Sequence, residues 1–363
     1  MDIITIGNKM NQVRIGVGKD LETKINLIIG ANSEEQIENE KEKISIGARL
    51  GVHTIIDLST KRFPYPLWRY GIDNYPNIAF GKVAPILVSV ENNGEVTPDK
   101  LFKEIQDSVL GGIDYMTMNL VPLRLSDLDK IGKRDILTTS RQGGVLLNYM
   151  MKNNVNSPYL PILDDMFNLF KEYNVTMHIG STFRPNGVTE AYDKTHLWEL
   201  SEQMRLYKIA DEIGMQAIVE PMSHQPLSDI GPGIIRLREE YGSYVPFQML
   251  GPIVTEVNNN CDQYASASGA AFAAMYNVGK ITTIPPREHV GFPTLADTEQ
   301  GIISTLTSVH AGDMCRLDYL KEMDRKITHE RNHKRSCNPE SSNAGCNKCQ
   351  SLCPLLIENF YSK

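Results

Sequence analysis

No stretch of the 363-residue chain approaches about 18 consecutive apolar residues, so no membrane-spanning helix is expected. Met1 to Gln12 lack the charged-then-apolar order of a secretory signal, and a cytoplasmic location is expected. Basic excess is missing too. With 37 basic against 44 acidic residues and a formal net charge of −7, a dedicated nucleic-acid binder is excluded, because phosphate neutralisation needs a basic surface. The one basic stretch (Arg325, Lys326, Arg331, Lys334, Arg335) is short and reads as a solvated tail or a cofactor-facing segment. Cysteine is scarce, with 6 in the chain, and in a cytoplasmic protein these read as metal ligands or free thiols before disulfides. No G-x-G-x-x-G follows the first apolar run, so nothing supports a dinucleotide site.

What is present is a core-forming composition, with 41% hydrophobic and 22% charged residues. Short apolar runs recur at Thr23–Gly30, His53–Leu58, Ala84–Val90, Ile113–Leu120, Ile136–Thr139, Val175–Gly180, Gln216–Glu220, Val245–Gly251 and Ile281–Ile284. Amphipathic stretches such as Ser33–Leu50, Pro98–Leu110, Pro161–Tyr173 and Leu197–Ile213 separate them. Nearly continuous apolar strands alternating with helices indicate an α/β protein with a parallel sheet buried on both faces. The number of repeats favours a (β/α)8 barrel over an open doubly wound sheet, which stays open as the alternative. The expected division is a barrel over residues 1–325 and a linker with a cysteine-rich tail over 326–363, since apolar periodicity fades beyond about 325.

Polar groups gather where the strand candidates end: Asp57-Leu58-Ser59-Thr60, Ser140-Arg141-Gln142-Gly143-Gly144, Gly180 to Pro185, and Glu220 to His224. In barrels the C-terminal strand ends carry the chemistry, so these are candidates for one site. Glu220 and Arg184 read either as a buried ion pair or as substrate contacts, the arginine fork suiting phosphate or carboxylate. Ser140 with Gly143 and Gly144 offers a hydroxyl and free backbone N–H groups to a phosphate. His224 and His289 both lie in Pro- and Gly-rich loops after strand candidates, and read as hydrogen-bonded loop histidines or as a metal pair.

Cys346, Cys349 and Cys353 form C-x2-C-x3-C. Three close thiolates need a metal to offset their repulsion. On a [4Fe–4S] cluster they leave one iron open to chelate S-adenosylmethionine. With Cys337 upstream, a four-cysteine zinc knot remains open on spacing alone. Cys261 and Cys315 are isolated and read as ordinary thiols.

The ordered motifs resemble the phosphomethylpyrimidine synthases of thiamine biosynthesis, which are radical S-adenosylmethionine enzymes. Gly180-x-x-Phe183-Arg184-Pro185 is similar to the family's G-D-G-L-R-P, and Ile218-Val219-Glu220-x-x-x-His224-x-Pro226 to I-E-G-P-G-H-V-P. Leu250-Gly251-Pro252-Ile253-x-Thr255 resembles L-G-P-L-x-T, Pro286 to Pro293 resembles P-K-E-H-L-G-L-P, and His310-Ala311-Gly312-Asp313 resembles H-A-A-D. Asp57 to Thr60 matches D-L-S-T, and Gly112 to Thr117 resembles G-V-D-Y-F-T. The 5-hydroxybenzimidazole synthases of anaerobic cobamide biosynthesis, a sister branch, are similar as well.

The resemblance implies a (β/α)8 barrel with an iron–sulfur tail, and a carbon–carbon lyase acting on an aminoimidazole ribonucleotide through a 5′-deoxyadenosyl radical. It implies a [4Fe–4S] cluster on Cys346, Cys349 and Cys353, S-adenosylmethionine, and Zn²⁺ or Fe²⁺ on His224 and His289. Glu220 and Arg184 take the catalytic positions. Asn26, Asn119, Ser140, Gly143, Gly144 and Gln248 join them around substrate. A ferredoxin- or flavodoxin-type reductant is implied, as is a homodimer in which the tail covers the partner's barrel mouth.

The departures are specific. The chain begins almost at the first barrel strand, where the family carries an N-terminal domain. The cluster motif is one residue shorter than C-x2-C-x4-C, and Gln142 is an extra residue. At substrate-facing positions Ile28 stands for Asn, Leu87 for Tyr on the expected third strand, Asn119 for His, Ser181 for Asp and Gln248 for Tyr. These changes predict a related but different small substrate. Two other classes are distinguishable: a barrel hydrolase with a colourless zinc tail, and a non-catalytic relative that binds a metabolite or a partner protein.

Overall fold

The computed structural model describes residues 2–257, 260–338, 349 and 352–356. Eight short parallel strands form one sheet: β3 (Lys24–Ile29), β4 (Thr54–Asp57), β5 (Ala79–Lys82), β6 (Tyr115–Met118), β7 (Thr176–Ile179), β8 (Ala217–Val219), β9 (Gln248–Leu250) and β10 (Lys280–Thr282). The order β8-β7-β6-β5-β4-β3-β10-β9 brings β9 back beside β8, where a parallel bridge from Val219 to Phe247 closes the ring. This is the expected (β/α)8 barrel. Before it, β1 (Ile3–Ile6) and β2 (Ile15–Gly18) make an antiparallel hairpin that the sequence reading did not anticipate.

The helices are α1 (Ile37–Leu50), α2 (Leu67–Asn74), α3 (Pro85–Glu91), α4 (Pro98–Leu110), α5 (Arg141–Asn153), α6 (Leu163–Tyr173), α7 (Lys194–Glu212), α8 (Leu227–Tyr241), α9 (Asp262–Met275), α10 (Leu295–Asp313) and α11 (Asp318–Lys334). Alternation along each strand sends one set of side chains outward. Leu27, Ile55, Phe80, Met116, Met177 and Ile281 pack there into the core beneath the helices. A second cluster lies inside, where Ile4, Ile6 and Val17 of the hairpin close the barrel floor against Ile56, Ala79, Tyr115 and Ile218. Asp114 fastens the hairpin by accepting the N–H groups of Asn8 at 2.9 Å and Phe80 at 2.8 Å.

Two of the expected strands are corrected. Ala84–Val90 is the helix α3, opened by Pro85 at its first turn and buried through Leu87 and Val88, so Leu87 is not on a strand. Ile136–Thr139 is a loop with Ile136 and Leu137 exposed, tied down by Asn186, which donates to the Ile136 carbonyl at 2.8 Å. The true third strand is Ala-Phe-Gly-Lys at Ala79–Lys82. Position 325 falls inside α11, which runs on to Lys334 while burying only Leu320. Its exposed faces carry pairs such as Arg325 with Glu322, so apolar periodicity fades while the helix persists.

The loop after β7 is held from behind. Glu199 of α7 accepts the N–H groups of Thr182 at 2.6 Å and Phe183 at 2.9 Å, and the Ser181 hydroxyl. Burial pushes the Glu199 carboxyl up to about 7, against those hydrogen bonds and the Arg184 charge, which pull it down.

Gly81 faces the Tyr115 ring so closely that an added Cβ would lie 2.2 Å from it. Gly81→Ala should therefore cost about 1–3 kcal/mol, read as a lower Tm, and Tyr115→Leu in the same chain should return part of the loss. For Glu199 the folded value stands above the ordinary 4.5, so the stability tied to its protonated form is complete below 4.5 and lost as pH rises through about 7. Glu199→Gln should flatten that dependence. Across this window wild-type stability should fall relative to the variant by up to about 3 kcal/mol. Thermal melts at a series of pH values test it, and parallel curves would refute it.

Candidate active site

At the barrel mouth Glu220 follows β8 and is fixed by its N–H donating to the Ile179 carbonyl at 3.0 Å. Its carboxylate accepts from the Gln248 side-chain amide at 3.2 Å and stands 3.9 Å from the Arg184 guanidinium. Arg184 also donates to the Ser181 carbonyl at 3.2 Å. Burial pushes the Glu220 carboxyl above its ordinary range, while Arg184, Lys280 and the Gln248 amide pull it back. The pair is therefore the buried ion pair of the first sequence reading.

Asn119 extends from the end of β6 and donates to Ser140 Oγ at 2.8 Å, while Gln142 donates to Asn119 Oδ1 at 2.8 Å. Ser140 caps α5: Oγ accepts the Gly143 N–H at 3.1 Å and the Ser140 carbonyl accepts that of Gly144 at 2.8 Å. The two glycine N–H groups expected to be free are thus used in the cap. Gly143 lies against Thr182, where a Cβ would come within 2.7 Å, whereas a Cβ at Gly144 would meet nothing within 4 Å. Asn26 sits deeper. Its Oδ1 accepts from Thr54 and Tyr115, both at 2.7 Å, and its amide donates to Thr282 at 3.1 Å.

The fold brings His224 and His289 together, with ring centroids 5.8 Å apart. A parallel bridge to Ile253 sets the His224 backbone, and His224 Nδ1 lies 3.0 Å from Glu256 Oε1. His289 Nδ1 lies 3.3 Å from Asp262 Oδ1. Burial lowers the His224 pKa, with Glu256 opposing, so the ring is held neutral. A carboxylate on one ring nitrogen is how a ligating imidazole is oriented. Two imidazoles sharing one ion through bonds of ~2.0–2.1 Å have centres roughly 5–6 Å apart, so the pair fits Zn²⁺ or Fe²⁺. Among the described residues no group of three or more His, Cys, Asp or Glu forms a closed metal site. The Arg184 charge adds a small push on His224 in the same direction as burial.

Beside His289 opens a cavity of about 450 Å³ lined by Ile28, Lys43, Arg141, Glu288 and Phe292. Among the tail cysteines, Cys353 is buried and Cys349 half-buried, with Leu352 N–H returning to the Cys349 carbonyl at 2.9 Å. Cys346 lies outside the described residues.

Sequence reasoning missed Glu199, Glu256 and Asp262, the carboxylates that set the loop and the histidines. Glu256 follows directly on Leu250–Thr255, the one signal that could have found it. It also missed the buried interior bases His178 and Lys280.

Residues 2–356 match the model of the Radical SAM ThiC family. The phosphomethylpyrimidine synthase of Thermodesulfovibrio yellowstonii is 30% identical over 86% of this chain and 75% of its own length. That of Pyrobaculum aerophilum is 29% identical over 94% of this chain and 85% of its own, and that of Carboxydothermus hydrogenoformans 28% over 97% and 88%. The motifs recognised in sequence, the barrel that presents them and these matches agree. The chain belongs to the Radical SAM ThiC family and is a radical S-adenosylmethionine enzyme of the phosphomethylpyrimidine synthase type.

Proposed function

We propose that the chain is a carbon–carbon lyase acting on an imidazole ribonucleotide-like small molecule at the mouth where Glu220, Arg184, His224 and His289 converge. The observation that carries this reading is the meeting of the two histidines, distant in sequence, on the barrel that also holds a buried carboxylate–guanidinium pair. Cys346, Cys349 and Cys353 supply three thiolates and no fourth within the motif, the donor set of a cluster with one open iron. When bound, the cluster would supply the electron that cleaves S-adenosylmethionine, and His224 and His289 would hold zinc or iron. The cavity at His289 is of a size suited to such a ligand.

The chain's own residues then position and shield. Arg184 offers its fork to an anionic group. Glu220, in a dry setting, accepts a hydrogen bond or holds a proton at the substrate. Asn119, Ser140 and Gln142 form the adjoining wall, with the N-terminus of α5 behind it favouring phosphate. Three of the replaced positions are paired within the protein: Asn119 with Ser140, Ser181 with Glu199, and Gln248 with Glu220. That supports a substrate differing from the ribonucleotide of the family's thiamine branch. In this reading the enzyme works in the cytoplasm as a homodimer, reduced by a ferredoxin or flavodoxin.

Anaerobic reconstitution with iron and sulfide should give a [4Fe–4S]⁺ EPR signal that shifts with S-adenosylmethionine and releases 5′-deoxyadenosine, and Cys349→Ala should abolish both. A colourless zinc protein, or a cluster blind to S-adenosylmethionine, would overturn the proposal. His224→Ala or His289→Ala should remove bound zinc or non-cluster iron in elemental analysis while leaving cluster sulfide unchanged. Formation of hydroxymethylpyrimidine phosphate at normal rates would sink the divergent substrate.

A further inference from the structure

The one strongly basic stretch of the sequence takes no part in the barrel chemistry. Its five cations, Arg325, Lys326, Arg331, Lys334 and Arg335, lie among a single acid, Glu330, in a chain whose formal net charge is −7. They occupy the second half of α11 and its end. The first half of that helix is fixed to the barrel. Leu320 is buried, the Tyr319 hydroxyl donates to Glu22, and Asp324 meets His310 at 2.7 Å. From Arg325 to Lys334 every residue is exposed.

Cations at a helix C-terminus offset its dipole, and pairing within the helix occupies some of these. Arg325 contacts Glu322, and Lys334 stands 4.0 Å from Glu330. Lys326 and Arg331 have no ion-pair partner among the described residues. An unneutralised basic end on an otherwise acidic chain directs an acidic partner to one place, because the remaining surface repels it. That place is near the cysteines. Cys346 follows Arg335 by 11 positions, so the two lie within about 40 Å of each other. A small protein domain spans about 30 Å, so one seated on the basic end is within reach of the cysteine motif.

We propose that the basic end of α11 is the docking surface for an acidic electron-carrier protein that reduces the cluster. Each transfer moves one electron: the carrier is oxidised by one electron, and the cluster passes from [4Fe–4S]²⁺ to [4Fe–4S]⁺. This rests on the reading of Cys346, Cys349 and Cys353 as a redox cluster, and adds the surface through which that cluster is served.

Lys326 and Arg331 provide the test, since both are exposed and unpaired. The full chain, reconstituted anaerobically, is mixed with a reduced acidic flavodoxin, and cluster reduction is followed by stopped-flow absorbance over a range of salt. In the wild type the second-order rate should fall as ionic strength rises. Lys326→Glu with Arg331→Glu should lower it at least about tenfold at low salt, and Lys326→Gln with Arg331→Gln should lie between. Dithionite, a small reductant that needs no docking surface, should reduce the cluster in both variants at close to the wild-type rate. Flavodoxin-driven rates equal in wild type and variants, or a wild-type rate that rises with salt, overturn the proposal.

Binding gives a second readout that needs no cluster. Labelled flavodoxin titrated with the full chain should show, by fluorescence anisotropy, an affinity that falls with salt and that the double Glu variant weakens at least about tenfold. Absent or unchanged affinity overturns the proposal as well. So does flavodoxin binding retained in a variant that sediments as single chains where the wild type is paired, since the basic end then holds a second copy. A cluster that dithionite cannot reduce, or a reduced cluster that leaves S-adenosylmethionine intact, counts against the functional reading alone.

Discussion

The site depends on one aromatic ring. Tyr115 occupies the middle of the barrel, and there is room for it only because Gly81 carries no side chain opposite. Its hydroxyl donates to Asn26, which also accepts from Thr54 and donates to Thr282, so a single hydrogen-bonded knot joins β6, β3, β4 and β10. Net, each such bond contributes about 1 kcal/mol, but leaving one of these buried partners unpaired would cost about 1–3. The ring also sets depth. Apolar residues of the hairpin fill the space below it, Lys280 Nζ lies over its face, and Gln248 reaches Glu220. Asn26 is consequently part of the floor of the site.

Above that level the loops are held by buried carboxylates that collect backbone N–H groups. Glu199 gathers Thr182 and Phe183, Asp57 gathers Ser59 and Trp68, and Glu40 takes Gly30. Each anchors a strand-end turn to the helix layer or to its own strand. Side-chain contacts orient the histidines instead: the exposed Glu256 meets His224 and the buried Asp262 meets His289. Loops so fastened hold reacting groups to the tolerance catalysis requires, which free loops do not.

Much of this was legible. The barrel, most of its strands and the long helices follow from periodicity, and the histidine pair from ordered motifs. What escaped did so for physical reasons. Ala79–Lys82 is short and contains glycine and lysine, yet the glycine makes room for Tyr115 and the lysine faces outward to Glu104. Pro85–Glu91 opens on the buried apolar run Pro85–Val88, and in so short a run helix and strand cannot be told apart by periodicity. His178 and Lys280 lie in strands at interior positions, where apolar residues are the usual fillers, and nothing in the spacing of the chain marks which polar exceptions converge.

As wholly unpaired amides in a dry setting, Asn119 and Gln248 would each cost about 1–3 kcal/mol. Instead Gln142 donates to Asn119, so a residue at the start of α5 and one at the end of β6 hold each other. Gln248 donates to Glu220 in the same way, keeping the carboxylate oriented from the side. Gln142 and Gln248 each still leave a buried side-chain oxygen without a partner among the described residues. An acceptor left open in a dry pocket favours a ligand that carries a matching donor.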